Sequence, residues 1–446
     1  MTTPICDFVK RYAKSKSLRL HMPGHKGVPL LGMEELDVTE IEGADSLYEA
    51  QGIIRESEEN ASRLFGCPTF YSTEGSSQCI RAMLCLVLQY ANSLGKRPRI
   101  VAARNVHKTF LSGIALLDIE VDWLFQKGEG SYLSCPMTPA ELQEYLSKAS
   151  EPPAAVYLTS PDYLGNTANV EALAQVCHRF GVLLLVDNAH GAYLKFLPHS
   201  LHPIDLGADL CCDSAHKTLP ALTGAAYLHI SPQAPAFMAE HAKEALALFG
   251  STSPSYLILQ SLDAVNGYLA DGYSQKLAEF LTQIEHCKTQ LRGQGYTLCG
   301  DEPMKLTLRS KEYGYRGEDL AHLLAKKGIV CEFADPDFTV LMLTPEIGME
   351  GLARLTKALE QIPKLPRIDT QPPALSPTDR VMTARQATLA PHKQIPTEEA
   401  EGKILGAPSV SCPPAVPILI CGERIDQHAI GVFQYYGIQA CTVVKE

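Results

Sequence analysis

The residues best equipped for chemistry are Lys217, Asp187 and the histidines beside them. Lys217 sits in Asp213-Ser214-Ala215-His216-Lys217-Thr218-Leu219, after an earlier segment Val186-Asp187-Asn188-Ala189-His190-Gly191. A lysine amine forms a Schiff base with an aldehyde, and a carboxylate keeps a pyridinium nitrogen protonated. An aspartate closing one apolar strand, with Ser-x-His-Lys closing the next, therefore has the layout that pyridoxal phosphate requires. The cofactor's phosphate needs donors, and Thr73-Glu74-Gly75-Ser76-Ser77 opens an apparent helix over Gln78–Tyr90. A helix N-terminus carrying hydroxyls suits an anion. Gly75, Ser76 and Ser77 are the candidates there, and Ser214 and His216 add donors. His107 follows a strand and can lie against the ring, and His190 can touch ring or substrate. Taken singly, each residue has an ordinary reading: surface lysine, capping aspartate, helix-capping turn, satisfied polar histidine. Their order along one alternating sheet is what points to the cofactor.

These residues need an α/β scaffold to hold them. Ile100–Ala102, Ala155–Thr159, Val182–Val186, Leu206–Asp213 and Ala225–Ile230 read as strands. Val182–Val186 is apolar throughout, as a strand covered on both faces is. Val170–Phe180 reads as a helix, with Leu173, Val176, Cys177 and Phe180 on one face and Gly181 as its stop. Thr138-Pro139-Ala140-Glu141 is a capping box at the start of another. The alternation predicts a mainly parallel sheet with its ligands at the carboxyl ends of the strands. The expected organisation is an irregular, polar N-terminal arm (1–60), a cofactor-binding large domain (61–295), a small α+β domain (296–362), a proline-rich linker (363–378) and a C-terminal domain (379–446). A long helical stretch from Ser255 to Gly293 is expected to lead out of the large domain.

Composition narrows the function classes. The chain has 446 residues, 46% of them hydrophobic and 20% charged, with a net charge of −11. That balance is ordinary for a globular enzyme; it argues against nucleic acid as a partner and favours small cationic ligands. The 14 cysteines form no C-x-x-C pair, so a reducing, cytoplasmic setting without disulfides or a thiolate metal site is expected. No apolar run reaches ~18 residues, so no membrane span is expected. No metal is expected.

The motifs also resemble a known family. Leu20-His21-Met22-Pro23-Gly24-His25-Lys26-Gly27 is similar to the opening signature of the ornithine/lysine/arginine decarboxylases. The similarity continues through Thr39–Leu47, Arg104-Asn105-Val106-His107-Lys108, Asp187–Ala192 and Ser214–Thr223. Residues 407 to 423 resemble the family's C-terminal signature. The resemblance implies a pyridoxal phosphate transferase-like fold and loss of the α-carboxylate from a basic amino acid, feeding polyamine synthesis. It implies catalytic roles for Lys217, His216, Asp187 and His190. It also implies a homodimer or larger homo-oligomer with shared active sites, in which Thr252 and Ser253 reach a neighbouring subunit's phosphate. The chain's length resembles the short branch of arginine decarboxylases, so arginine is the first expectation, ahead of lysine and ornithine. The sequence departs from the family pattern at Cys412-Pro413-Pro414-Ala415, at Gly422-Glu423 and at Gly224, where a glutamine is usual. Asp45, Glu49 and Glu423 are candidates for an acidic pocket at the substrate's far end.

Two other readings stay open on sequence alone. One is a different reaction on the same cofactor, such as transamination or C–C or C–S cleavage, with Arg309, Arg316 or Arg385 holding the α-carboxylate. The other is an inactive homologue that only binds the cofactor.

Overall fold

A computed structural model describes residues 1–125, 130–408 and 414–445. Strands β1 (Thr69–Ser72), β2 (Arg99–Ala103), β3 (Glu120–Leu124), β4 (Ala155–Thr159), β5 (Leu183–Asp187), β6 (Leu210–Asp213) and β7 (Ala226–Ile230) come first along the chain. Between and before them run α1 (Pro4–Lys14), α2 (Ile53–Phe65), α3 (Ser76–Ser93), α4 (Lys108–Leu117), α5 (Pro139–Lys148), α6 (Val170–Arg179) and the single turn α7 (Ala215–Thr218). The fold is α/β, as the alternation predicts.

The chain forms two compact units: Met1–Tyr90 with Leu183–Leu277, and Ala91–Val182 with Ala278–Glu446. In the first, the strand order is β1-β7-β6-β5. β5 and β6 run parallel, with Asp187 level with Cys212. β7 is antiparallel to both β6 and β1. Every residue of β5, β6 and β7 is buried, which explains why β5 and β6 carry Leu, Val and Cys without polar alternation up to their closing aspartates. In the second unit β4, β2 and β3 are all parallel. The capping box on α5 is present, with Thr138 and Glu141 bonding reciprocally. This unit also holds an antiparallel sheet of Leu298–Cys299, Lys305–Arg309, Phe333–Ala334 and Phe338–Met342. A three-stranded antiparallel sheet comprises His392–Pro396, Leu405–Ala407 and Ala440–Val444. Phe338, Val340, Leu405, Ile430, Phe433 and Val443 share one core.

Three local expectations change. The N-terminal stretch is not irregular throughout: α1 has Pro4 at its first turn and buries Ile5 and Val9 completely. The i, i+4 spacing of Ile5 and Val9 carried that signal, and the Pro/Gly cluster at 23–32 obscured it. The stretch from Ser255 to Gly293 is two helices, Tyr256–Ala270 and Tyr273–Gly293, broken where Gly272 adopts φ +75°. The short strands β1 and β3 were absent from the sequence reading. Among the described residues no helix is long and apolar enough to cross a membrane.

Candidate active site

The first unit carries every cofactor-site candidate except His107; Glu423, Arg309, Arg316 and Arg385 belong to the second unit. Because β5 and β6 are parallel neighbours, Asp187 and the turn after Asp213 leave from the same sheet edge. Ligands gather at such carboxyl edges. Asp187 is 2% exposed, and its Oδ1 accepts the Ala189 N–H at 3.2 Å and the Cys212 thiol at 3.7 Å. Lys217 lies in α7, directly after β6, and its Nζ is 3.1 Å from Nε2 of the buried His190. His216 donates from Nδ1 to the Ala225 carbonyl at 2.9 Å. Burial lowers the His216 pKa, and the charge of Lys217 adds to that. The imidazole is therefore neutral near pH 7, with its lone pair on Nε2.

On the phosphate side, α3 begins at Ser76, and Ser214 Oγ donates to Ser76 Oγ at 2.8 Å. Two hydroxyls from different elements thus meet at a helix N-terminus, with Ser77 next in line. Gly75 has φ +71° and donates its N–H to the Gly224 carbonyl at 2.7 Å, so its amide ties the loop before α3 to the loop before β7. Gly224 has φ +96°, and a Cβ there would lie 3.0 Å from the Thr73 carbonyl oxygen. The backbone at 224 thus favours glycine over the usual glutamine. The Glu74 carboxylate accepts the Ser251 N–H at 2.6 Å, which ties it to the loop bearing Thr252 and Ser253. Both of those residues are exposed.

Other candidates have structural partners. His107 belongs to the second unit, where it caps α4, its Nδ1 accepting the Thr109 N–H. Asp45 accepts five backbone N–H groups, from Ser46, Gln51, Gly52, Ile54 and Arg55. Glu423 is buried against Arg104 at 3.0 Å and also accepts the Ile420 N–H. Neither acid is available to a substrate's cationic end; Glu49 is exposed. Arg385 donates to the carbonyls of Ala115 and Leu116, Arg316 pairs with Glu318 and Arg309 lies over the Phe338 ring. The C-terminal departure at Cys412-Pro413 lies outside the described residues.

The sequence reading missed Asn188, His202, Asp213 and His229, which form a buried network behind the lysine segment. Asp213 ends a strand just as Asp187 does, and that signal was available.

An amine, a buried carboxylate and paired hydroxyls at a helix N-terminus, all in one unit, fit pyridoxal phosphate. Together with the α/β fold they define a pyridoxal-phosphate-dependent enzyme. The profile of the family described as "Orn/Lys/Arg decarboxylase, major domain" matches residues 3–301. The chain belongs to this family, and it is an amino-acid decarboxylase that uses pyridoxal phosphate. It is 28% identical to the uncharacterised protein YaaO of Bacillus subtilis (strain 168), over 96% of this chain and 93% of that one. It is 27% identical to an arginine decarboxylase of the same organism, over 96% and 92%. The solved lysine decarboxylase A from Pseudomonas aeruginosa shares the fold, with a TM-score of 0.80 at 16% identity over 99% of this chain and 80% of that one.

Proposed function

We propose that this chain removes the α-carboxylate of a basic amino acid, arginine ahead of lysine and ornithine, giving the amine and CO2 for polyamine synthesis. The observation that carries the reading is the Lys217–His190 contact of 3.1 Å at the sheet edge where Asp187 also ends. Bound pyridoxal phosphate supplies an aldehyde that captures the substrate amine and a protonated ring that accepts the electrons left by CO2. Lys217 is the residue for the aldehyde. His190 Nε2, within hydrogen-bond reach of Lys217 Nζ, takes the lysine's proton so that the amine becomes nucleophilic, and returns it later. Asp187 offers a desolvated negative charge to the ring nitrogen, and Ser76, Ser77 and Ser214 offer hydroxyls to the phosphate. Neutral His216, with Nδ1 anchored on Ala225, keeps the lysine turn in place and presents Nε2 as a proton acceptor.

Arginine is favoured because the curated relatives matched over nearly their whole length include arginine decarboxylases. An acidic chain, net charge −11, suits a cationic substrate. The working form is a cytoplasmic homodimer or larger assembly, in which Thr252 and Ser253 reach the neighbouring copy's phosphate. Leu18, Leu20, Leu30 and Leu31 support an assembly: each is more than four-fifths exposed in the single chain, an apolar run of the kind a partner covers.

The test is a substrate panel with products identified by mass, run beside Lys217→Ala. Wild type should release CO2 and the amine, with agmatine dominant. The variant should lose both turnover and the visible absorbance of the protein-bound cofactor. Full absorbance in the variant would sink the lysine assignment.

A further inference from the structure

Behind the lysine segment lies a carboxylate that serves no role in the scheme above. Asp213, the last residue of β6, is fully buried, as are His202 and His229. Its Oδ2 accepts from both imidazole Nε2 atoms, each at 3.1 Å. Its Oδ1 accepts the Asn188 side-chain N–H at 2.7 Å and the Cys211 thiol at 3.8 Å. A carboxylate only accepts, so the Asn188 amide nitrogen must face it. Asn188 directly follows Asp187, and its backbone N–H donates to the Cys212 carbonyl at 3.0 Å. One carboxylate therefore joins two loops, the one bearing Asp187 and His190 and the one bearing Ser214, His216 and Lys217. The imidazoles let it stay ionised without water: burial alone would raise its pKa, and His202 and His229 reverse that.

We propose that Asp213 is a positioning residue for cofactor binding. Its bond to Asn188 sets the spacing between the Asp187 carboxylate and the Lys217 amine, and His202 and His229 hold its charge in place. The proposal rests on the reading of Lys217 and Asp187 given above. Two details suit the network to this task. A Cβ on Gly191 would lie 2.0 Å from Asn188 Oδ1, so the amide is wedged against the turn that carries His190. His229 is held from its other side by the Thr69 hydroxyl, 2.9 Å from Nδ1. The Asp213 carboxylate only accepts, so the contact at 3.1 Å places a proton on His229 Nε2.

The experiment uses two variants of the holoenzyme. Asp213→Asn keeps the shape and removes the charge. Asn188→Ala breaks the same link while leaving the histidine pair intact. Cofactor release after dilution is followed by the visible band, and melting is compared with and without saturating pyridoxal phosphate. Each variant should weaken cofactor affinity about tenfold, the loss of one hydrogen bond to a charged acceptor. The double variant should be no weaker than the worse single one. The cofactor-induced rise in melting temperature should shrink in both. A lower melting temperature with unchanged cofactor affinity in both variants would reduce Asp213 to a folding residue and overturn the proposal. Stoichiometric metal in the wild-type holoenzyme that is lost from Asp213→Asn would also overturn it, since His202, Cys211 and Asp213 place their ligand atoms within 4.8 Å of one another. Lys217→Ala, run in parallel, separates the two levels. If that variant keeps the visible band, the underlying reading fails. If it loses the band while Asp213→Asn and Asn188→Ala bind normally, only this inference fails.

Discussion

Gly191→Ala is a demanding perturbation of the site. The backbone there has φ −123°, which any residue adopts, so the obstacle is space. An added Cβ would lie 2.0 Å from Asn188 Oδ1, 2.8 Å from Asn188 Cγ and 2.7 Å from Leu194 Cδ1. Leu194 Cδ1 ends a flexible side chain and can yield. Asn188 cannot yield cheaply, because its amide is bonded to Asp213 at 2.7 Å in a fully buried setting. Forcing a methyl group into a packed core costs about 1–3 kcal/mol. Displacing the amide from the carboxylate costs about 1.5–3 kcal/mol more. The variant should therefore lose about 2.5–6 kcal/mol of stability, a fall in melting temperature of roughly 3–6 °C for a chain of 446 residues. Cofactor affinity should fall with it, because His190 adjoins the disturbed residue. Calorimetry of the holoenzyme and the visible-band titration read the two effects. Adding Asn188→Ala removes the main collision, so the double variant should be more stable than the two single losses summed predict. Wild-type melting and affinity in Gly191→Ala, or strict additivity in the double variant, would refute the reasoning.

Two further predictions concern the second unit. Burial lifts the Asp335 carboxyl to about 7, outweighing the Phe338 and Asp337 N–H groups that bond it. The unfolded chain ionises this group near ~3.9, so native stability falls as pH rises between that value and about 7. Asp335→Asn should consequently gain on wild type as pH rises, by up to about 4 kcal/mol above pH 7. A melting difference that is constant from pH 5 to 8 would contradict this. Glu423→Gln removes the partner of the buried Arg104 guanidinium. It should lower unfolding free energy in urea by about 3–5 kcal/mol, and a loss under 1 kcal/mol would show that the pair is incidental.

Much of this protein was legible along the chain. The apolar runs before Asp187 and Asp213 announced buried parallel strands, because a strand covered on both faces has no polar alternation. The same runs located the carboxyl ends where Lys217 and Asp187 lie. Thr138-Pro139-Ala140-Glu141 marked a helix start because capping is local chemistry, settled within one turn. Breaks and partners were less legible. A single glycine at 272 divides one expected helix into two. Asp45 and Glu423 looked like free acids, and only folding showed the backbone amides and the arginine that occupy them.

Residue types and their order determined the cofactor class and the family, since an amine, a carboxylate and a helix-start hydroxyl turn keep their chemistry wherever they stand. The tertiary structure decided which groups meet. His190 reaches Lys217 across 27 positions, and Asp213 collects His202, His229 and Asn188 from three separate segments of the chain. Pairings of that kind depend on strand register and on which face each side chain takes, and no local pattern along a chain encodes either.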